Sequence, residues 1–523
     1  MAKRRLKTNS IVSNLLIKLG IILVILGLAS YLKLRMDFSS NKAYSLSPIS
    51  KEAVKGLKDN LVLKIYASEE LPAEMSTLDR YLKDLLSEYQ LAGKGKFHYE
   101  FVRGLSPEQL RTQAIQNGLS GMYFKIYEND KTTTKEIIYG LVFEYQGVLS
   151  TLNLRPQMEP QLEYQLTLKM QKLTRHNLPN VVVYADTLFT YLPSDKFSTG
   201  MSENYNVSFT DLKTPPPAAK VMIFTGARDS LSTVQLYNLD QFIMHGGSLV
   251  VLQDHFISSD QGIQGINSNI YGFLEHYGLK VSTEMVMDVF CDIRGVGVSN
   301  SISFPVYPVV RGSDHPITRN ISNIVLYLAS GLAPSGQKGV NFNGILYTSS
   351  KSAVLEGPGY VLDPDLFQSP DPEVFKHPPI TVGATLDGKF TSYFAGKQEQ
   401  STPGFIGETT QSRIVAFGDR DLFIDPDKAI YDNRYYIVLN AVDWLLNRNS
   451  MIAIRARNMQ SSILDIPYYM SKHNIVWGDL ERIERQIRMG VKVASAVLPS
   501  LLLIIAGLLM ALHRKQLAGE EDE

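Results

Sequence analysis

The sequence predicts a two-span membrane protein whose body is built from α/β units. An uncharged apolar run stands near each end of the 523-residue chain, strand-like and helix-like periods alternate between the runs, and turn residues punctuate most changes of period. The C-terminal run, Val493 to Leu512, holds twenty residues without a charge, enough for a helix to cross a hydrocarbon core of about 30 Å. The N-terminal run, Leu19 to Leu32, is almost wholly apolar, and Leu15, Leu16 and Ile17 extend it past a single Lys18 that can reach the headgroups.

The basic residues set an expected orientation. Lys3, Arg4, Arg5 and Lys7 precede the first run and Lys33 and Arg35 follow it, which puts the N-terminus in the cytoplasm. Two spans then return the acidic tail Glu520–Glu523 to the same side, and the body lies outside the cytoplasmic membrane of a bacterium. A cleaved signal peptide is the alternative, but Tyr31-Leu32-Lys33-Leu34-Arg35 offers no small-residue cleavage site.

Composition limits the function. The 52 basic and 52 acidic residues cancel, so no global field favours nucleic acid. A single cysteine, Cys291, excludes an internal disulfide and any cysteine-based zinc cluster. In an oxidising compartment such a lone thiol is read as buried and inert.

The first α/β unit reads in a regular order. After a linker over 35–60, with a short helix from Ser50 to Leu57, Leu61–Ala67 is strand-like, and Met75–Leu91 places Leu78, Leu82, Leu85, Leu86 and Tyr89 on one helical face. Phe97–Val102 is a second strand. Ser106-Pro107-Glu108 opens a helix with a cap, a proline at the first helical position and an acid in the first turn. Met122–Tyr127 and Ile137–Tyr145 read as a hairpin of the same sheet, and Glu159–Leu173 as a helix. The order βαβαββα predicts a thioredoxin-like domain, but Ser68-Glu69-Glu70-Leu71-Pro72 stands where its dithiol would, which excludes redox chemistry.

The second unit begins with the buried-looking strand Val181–Ala185. Strands at 205–209, 221–224 and 248–252 follow. Helix Ser232–Met244 closes at His245-Gly246-Gly247. A short helix at 270–277 leads to a strand around 280–286. From about 288 to 405 the chain is rich in Gly, Pro and Ser and predicts short strands and long loops. Strand 413–417, the Gly418-Asp419-Arg420-Asp421 turn and helix 434–446 restore the pattern, and an amphipathic segment at 474–491 leads to the second run.

The chain thus divides into a cytoplasmic N-terminus (1–14), a transmembrane helix (15–34), a linker (35–60) and a thioredoxin-like domain without Cys-x-x-Cys (61–175). A second α/β domain (176–450), a membrane-proximal segment (451–492), a second transmembrane helix (493–512) and a cytoplasmic tail (513–523) follow.

Several signatures resemble the family of auxiliary components of ABC-type transporters typified by the gliding-motility protein GldG. They are Tyr44-Ser45-Leu46-Ser47-Pro48, then Leu239–Gly247 (LDQFIMHGG), Phe417-Gly418-Asp419, and Asn440-Ala441-Val442-Asp443-Trp444-Leu445. Each is weak alone; their order along nearly the whole chain is more specific. The resemblance implies an auxiliary subunit working beside an ATPase and a multi-span permease. It also implies that 176–450 is a Rossmann-type domain shaped like class I glutaminases but without their activity.

The residues agree with a body that performs no catalysis and needs no cofactor or metal. Cys291 lacks a glycine-flanked elbow, no Gly-x-Ser-x-Gly occurs, and no glycine-rich loop ends in Gly-Lys-Ser/Thr, so an ATPase must be another chain. Asp254-His255 at a strand's carboxyl end occupies the place where open α/β sheets bind ligands, yet reads as a solvated turn. Asp419, Asp421, Asp425 and Asp427 crowd one loop without the spacing of a calcium site. Ser313–Thr318 (SDHPIT) reads as a structural turn. The expected partners are the ATPase, the permease and the lipid bilayer. A membrane-anchored envelope hydrolase or amidase, or a stand-alone extracytoplasmic ligand-binding module, is the alternative.

Overall fold

The computed structural model describes residues 45–459 apart from 129–130, 157, 175–177, 185–194, 260–261, 297–299, 320, 322–323, 358–359, 361–372 and 423–432, together with a few helical positions between 485 and 497. Among these residues no helix is long and apolar enough to cross a membrane. The two-span architecture, and the bacterial inner-membrane placement with an extracytoplasmic body that was built on it, are therefore corrected. A span needs about twenty apolar residues in one helix, whereas the Ser76–Ala92 helix has 17 and is amphipathic. The run Leu19–Leu32 lies outside the described residues, as do most of Val493–Leu512 and of the 474–491 segment.

The mixed α/β character is present in the two largest sheets, of four and ten strands. The first unit comprises α1 (Pro48–Lys55), β1 (Leu61–Ala67), α2 (Ser76–Ala92), β2 (Phe97–Phe101), α3 (Pro107–Gln116), β3 (Met122–Glu128), β4 (Lys131–Ile137), β5 (Tyr139–Tyr145), β6 (Val148–Asn153) and α4 (Glu159–Thr174). Its sheet runs β2-β1-β5-β6, with β1 parallel to β2 and antiparallel to β5. The hairpin expected between 122–127 and 137–145 is absent. Instead β3 pairs with β4 as a separate two-stranded ribbon, and β5 turns at Gln146-Gly147 into β6. Both turn residues take positive φ (49° and 78°), as a two-residue hairpin turn requires.

The second unit contains β7 (Asn180–Tyr184), α5 (Asp195–Asn204), β8 (Asn206–Thr210), β9 (Val221–Phe224), α6 (Thr233–Met244), β10 (Ser248–Leu252), β11 (Phe256–Ser259), β12 (Gly262–Gly265) and α7 (Ile270–His276). Strands β13 (Leu279–Asp288), β14 (Cys291–Val296), β15 (Asn300–Gly312), β16 (Ile324–Val325), β17 (Ser330–Pro334), β18 (Val340–Tyr347) and β19 (Ser352–Leu355) follow. The unit closes with β20 (Thr381–Gly388), β21 (Phe390–Thr391), β22 (Glu408–Thr409), β23 (Ile414–Phe417), α8 (Asn433–Leu445) and α9 (Asn449–Met459).

Five strands are parallel in the spatial order β8-β7-β9-β10-β23, which in chain order is the doubly wound 2-1-3-4-5 arrangement. The sheet continues antiparallel through β20, β18, β15 and β14. The short parallel strands are apolar on both faces because both are covered. Val182, Met222, Leu249 and Val251 pack with Leu236, Leu239 and Ile243 of α6, while Val181, Ile223, Val250 and Val415 pack with Ile437, Val438 and Ala441 of α8.

Helix α4 is the wall shared by the two units. Leu162, Leu166 and Met170 enter the core of the first, and Tyr164 and Leu168 enter that of the second. The segment read as a linker is part of this junction: Leu46, Val54 and Leu57 are buried in the first core and Ile49 in the second.

Candidate functional site

The carboxyl ends of β9, β10 and β23 converge on one crevice, the position where doubly wound sheets bind ligands. Each strand hands over to a short polar loop: Thr225-Gly226-Ala227, Gln253-Asp254-His255 and Gly418-Asp419-Arg420-Asp421. Two glycines make the close approach. Gly226 has φ +88°, and a Cβ there would lie 2.7 Å from the Leu252 carbonyl oxygen. A Cβ on Gly418 would collide with the Ser330 carbonyl, because Ser330 donates its N–H to the Gly418 carbonyl at 2.7 Å.

The carboxylates are occupied by backbone donors. Asp254 accepts the N–H of Phe256 at 3.0 Å on one oxygen and that of Arg420 at 2.8 Å on the other. Asp419 accepts Tyr327 N–H at 2.8 Å and Asp421 N–H at 2.7 Å. Gln253 accepts Ala227 N–H at 2.8 Å and donates to the Asp254 carbonyl at 2.8 Å, which also receives the Tyr271 hydroxyl at 2.7 Å. The Thr225 hydroxyl donates to the Tyr184 carbonyl at 2.6 Å. Side chains thus knit the strand ends into a clasp.

Electrostatics follow from this burial. Burial pushes the Asp254 carboxyl up to about 7, and the charge of Asp421 adds to the rise. Asp419 is raised well above the ordinary carboxylate range by burial, then by Asp421 and Asp254. Burial also raises Asp421, against the opposing charges of Arg420, Arg228 and Arg434. His255 is held below its usual value by burial; its ring stacks on Tyr271 at 3.5 Å.

The structure therefore brings Asp254, His255, Asp419 and Asp421 together in one crevice, the first three buried and Asp421 half-buried; Asp425 and Asp427 lie outside the described residues. Among the described residues no group of three or more His, Cys, Asp or Glu side chains is arranged to hold a metal ion. Cys291 stands apart at the start of β14, its thiol pushed up to about 12 by burial. In the Ser313–Thr318 turn Ser313 Oγ accepts His315 N–H at 3.2 Å and the Thr318 hydroxyl donates back to the Ser313 carbonyl at 3.2 Å.

A second polar cluster, at the junction of the units, was not read from the sequence. Glu163 of α4 accepts Ser47 N–H at 2.6 Å and the Ser50 hydroxyl at 2.8 Å, while Thr167 Oγ1 lies 2.8 Å from Ser50 Oγ and 2.7 Å from the Tyr89 hydroxyl. Nearby, Arg455 is buried against Asp443 and donates to Asn440 at 2.5 Å, and Asn440 donates to the Ile317 carbonyl at 3.0 Å. Glu163, Thr167 and Gln171, spaced four residues apart, make a buried polar stripe between the apolar positions of α4, and that spacing was the available signal.

The four signature segments now have physical roles. Ser47 caps α1 and Asp240 accepts the Tyr277 hydroxyl and Tyr393 N–H, each at 2.6 Å. Gly418-Asp419 builds the clasp, and Asn440 and Asp443 anchor Arg455.

Comparison with known proteins adds identity to this geometry. Residues 40–144 match a domain of unknown function. An uncharacterized protein of Borreliella burgdorferi is 19% identical over 475 residues, covering 87% of this chain and 91% of that one. Among solved structures, the mmIFT52 N-terminal domain aligns at 14% identity and TM-score 0.32, over 54% of this chain and 99% of that one. A ThuA-like protein from Parabacteroides merdae aligns at 10% identity and TM-score 0.25, over 52% and 91%. Likenesses this distant carry no argument about fold or function. The family model described as "ABC-type uncharacterized transport system" matches residues 173–448, more than half of the chain, so this protein belongs to that family of ABC transport auxiliary components.

Proposed function

We propose that the chain is a non-enzymatic auxiliary subunit of an ABC-type transporter complex. Its α/β body acts beside an ATPase subunit and a multi-span permease as a coupler, scaffold or substrate-contacting module. Within the family, the order of the signature segments supports kinship with the gliding-motility-associated branch. We read residues 61–175 and 176–450 as two units that move as one because α4 belongs to both cores.

One observation carries the reading. In a family of transport auxiliaries, the crevice that doubly wound sheets use for ligands is spanned by the protein's own Gln253 and by Asp254 and Asp419, and the carboxylates of those two aspartates are engaged by backbone N–H groups. A general base must be within reach of a substrate proton, and these carboxylates face loops instead. The role left to the body is contact with other chains.

The experiment is ATP turnover by a purified ATPase–permease pair with and without this chain. A change in turnover or in its substrate dependence supports a coupler. Turnover indifferent to a saturating excess of the chain would sink that role.

A further inference from the structure

A cleft of about 950 Å³ opens in the first unit, separate from the clasp. It lies beyond the carboxyl ends of the parallel strands β1 and β2, the end at which α/β sheets present ligand sites. Its floor is apolar, formed by Phe101, Val102, Leu105, Leu110, Ile137 and Ile138. The walls are fixed by hydrogen bonds, two within the backbone and one to the Ser68 hydroxyl. Ser68 N–H donates to the Ile138 carbonyl at 2.8 Å, Ile138 N–H donates to Ser68 Oγ at 2.9 Å, and Val102 N–H donates to the Ile65 carbonyl at 2.9 Å. Ser106 and Gln109 cap α3 reciprocally on the far side. The cleft is therefore preformed, and its volume stands at the upper end of the roughly 300–1,000 Å³ of small-ligand pockets.

The rim carries four carboxylates against three cations. Lys135 pairs with Glu70 at 3.2 Å and Arg111 with Glu136 at 2.8 Å, while the Arg103 guanidinium lies 5.8 Å from the centre of the Phe101 ring. Glu69 and Glu108 are exposed and make no ion pair among the described residues. An apolar trough with spare negative charge on its edge complements a ligand that is apolar and cationic by turns.

We propose that this cleft binds an extended segment of a partner polypeptide in which apolar side chains alternate with lysine or arginine. An extended strand sends successive side chains to opposite sides, so one set enters the floor while the other reaches Glu69 and Glu108. Main-chain order and burial at the floor supply affinity; the rim charges supply selectivity. The site does not depend on the transporter reading.

The test is fluorescence anisotropy of the full chain with two labelled pentapeptides at about 150 mM salt, one alternating leucine and lysine, the other leucine and glutamate. The lysine peptide binds at least about tenfold tighter. The E69K/E108K variant, altered at exposed positions, reverses that order, and Leu105→Ser weakens the lysine peptide about fivefold by removing floor contact. Thermal melting verifies that each variant is folded. Equal binding of both peptides, binding of neither, or a preference unchanged in E69K/E108K would overturn the proposal.

Discussion

The Arg420 backbone N–H donates to the Asp254 carboxylate at 2.8 Å across 166 residues of chain, tying together the ends of two adjacent parallel strands. The same carboxylate holds Phe256 N–H at 3.0 Å, so one side chain fixes three segments. Its protonation is therefore a stability variable.

The sign follows from linkage. Folding raises the Asp254 carboxyl to about 7 from its ordinary value, so between about pH 4 and pH 7 the folded chain holds a proton that the unfolded chain has released. The contribution of this group falls as pH rises through that window and is flat above it. Asp254→Asn removes it. The stability deficit of this variant, measured by thermal melting, is largest at and below about pH 4, shrinks as pH rises to about 7 and is constant above that. A deficit that grows with pH contradicts the assignment.

Gly418→Ala pushes a methyl group into the Ser330 carbonyl and strains the β17–β23 contact. We expect a loss of about 2 kcal/mol in urea unfolding. Gly272→Ala, on α7 with open space around it, is neutral or stabilising by a few tenths of a kcal/mol.

Glu163→Ala leaves Ser47 N–H and the Ser50 hydroxyl buried without their shared acceptor, at a cost of about 2–3 kcal/mol. Glu163→Gln retains an acceptor oxygen and costs less than about 1 kcal/mol. Limited proteolysis should show the 48–57 segment cut first in the alanine variant.

Cys291 is buried and its thiol is pushed up to about 12, so the nucleophilic thiolate is scarce. Alkylation by iodoacetamide at about pH 8 is slow in the native protein and fast in denaturant. Rapid native labelling would contradict the burial.

Much of the second unit was legible because its signals are local. Val181–Val183 is a continuous apolar run, and Ser232 and Gly246 bracket α6. The β15 strand was not legible, since it lies in the Gly-, Pro- and Ser-rich stretch from about 288 to 405 and contains Pro305 and Pro308. They are tolerated where the β14–β15 register shifts between Cys291↔Pro308 and Asp292↔Phe304. β6 was missed because Val148 and Leu149 are both exposed, which spoils the alternation of a half-buried strand. The terminal runs lie largely outside the described residues, and among the described residues no helix is long and apolar enough to cross a membrane. At the site, Asp254 and Asp419 were visible as residues, but their engagement with Arg420 and Tyr327 depends on contacts far apart in sequence.

Co-purification decides whether the chain works beside an ATPase and a permease. A tagged chain is isolated in mild detergent at native abundance, and its partners are quantified by mass spectrometry. A P-loop ATPase and a multi-span permease should be recovered in fixed ratio to the chain. Repeated recovery of the chain without either would contradict the proposed role.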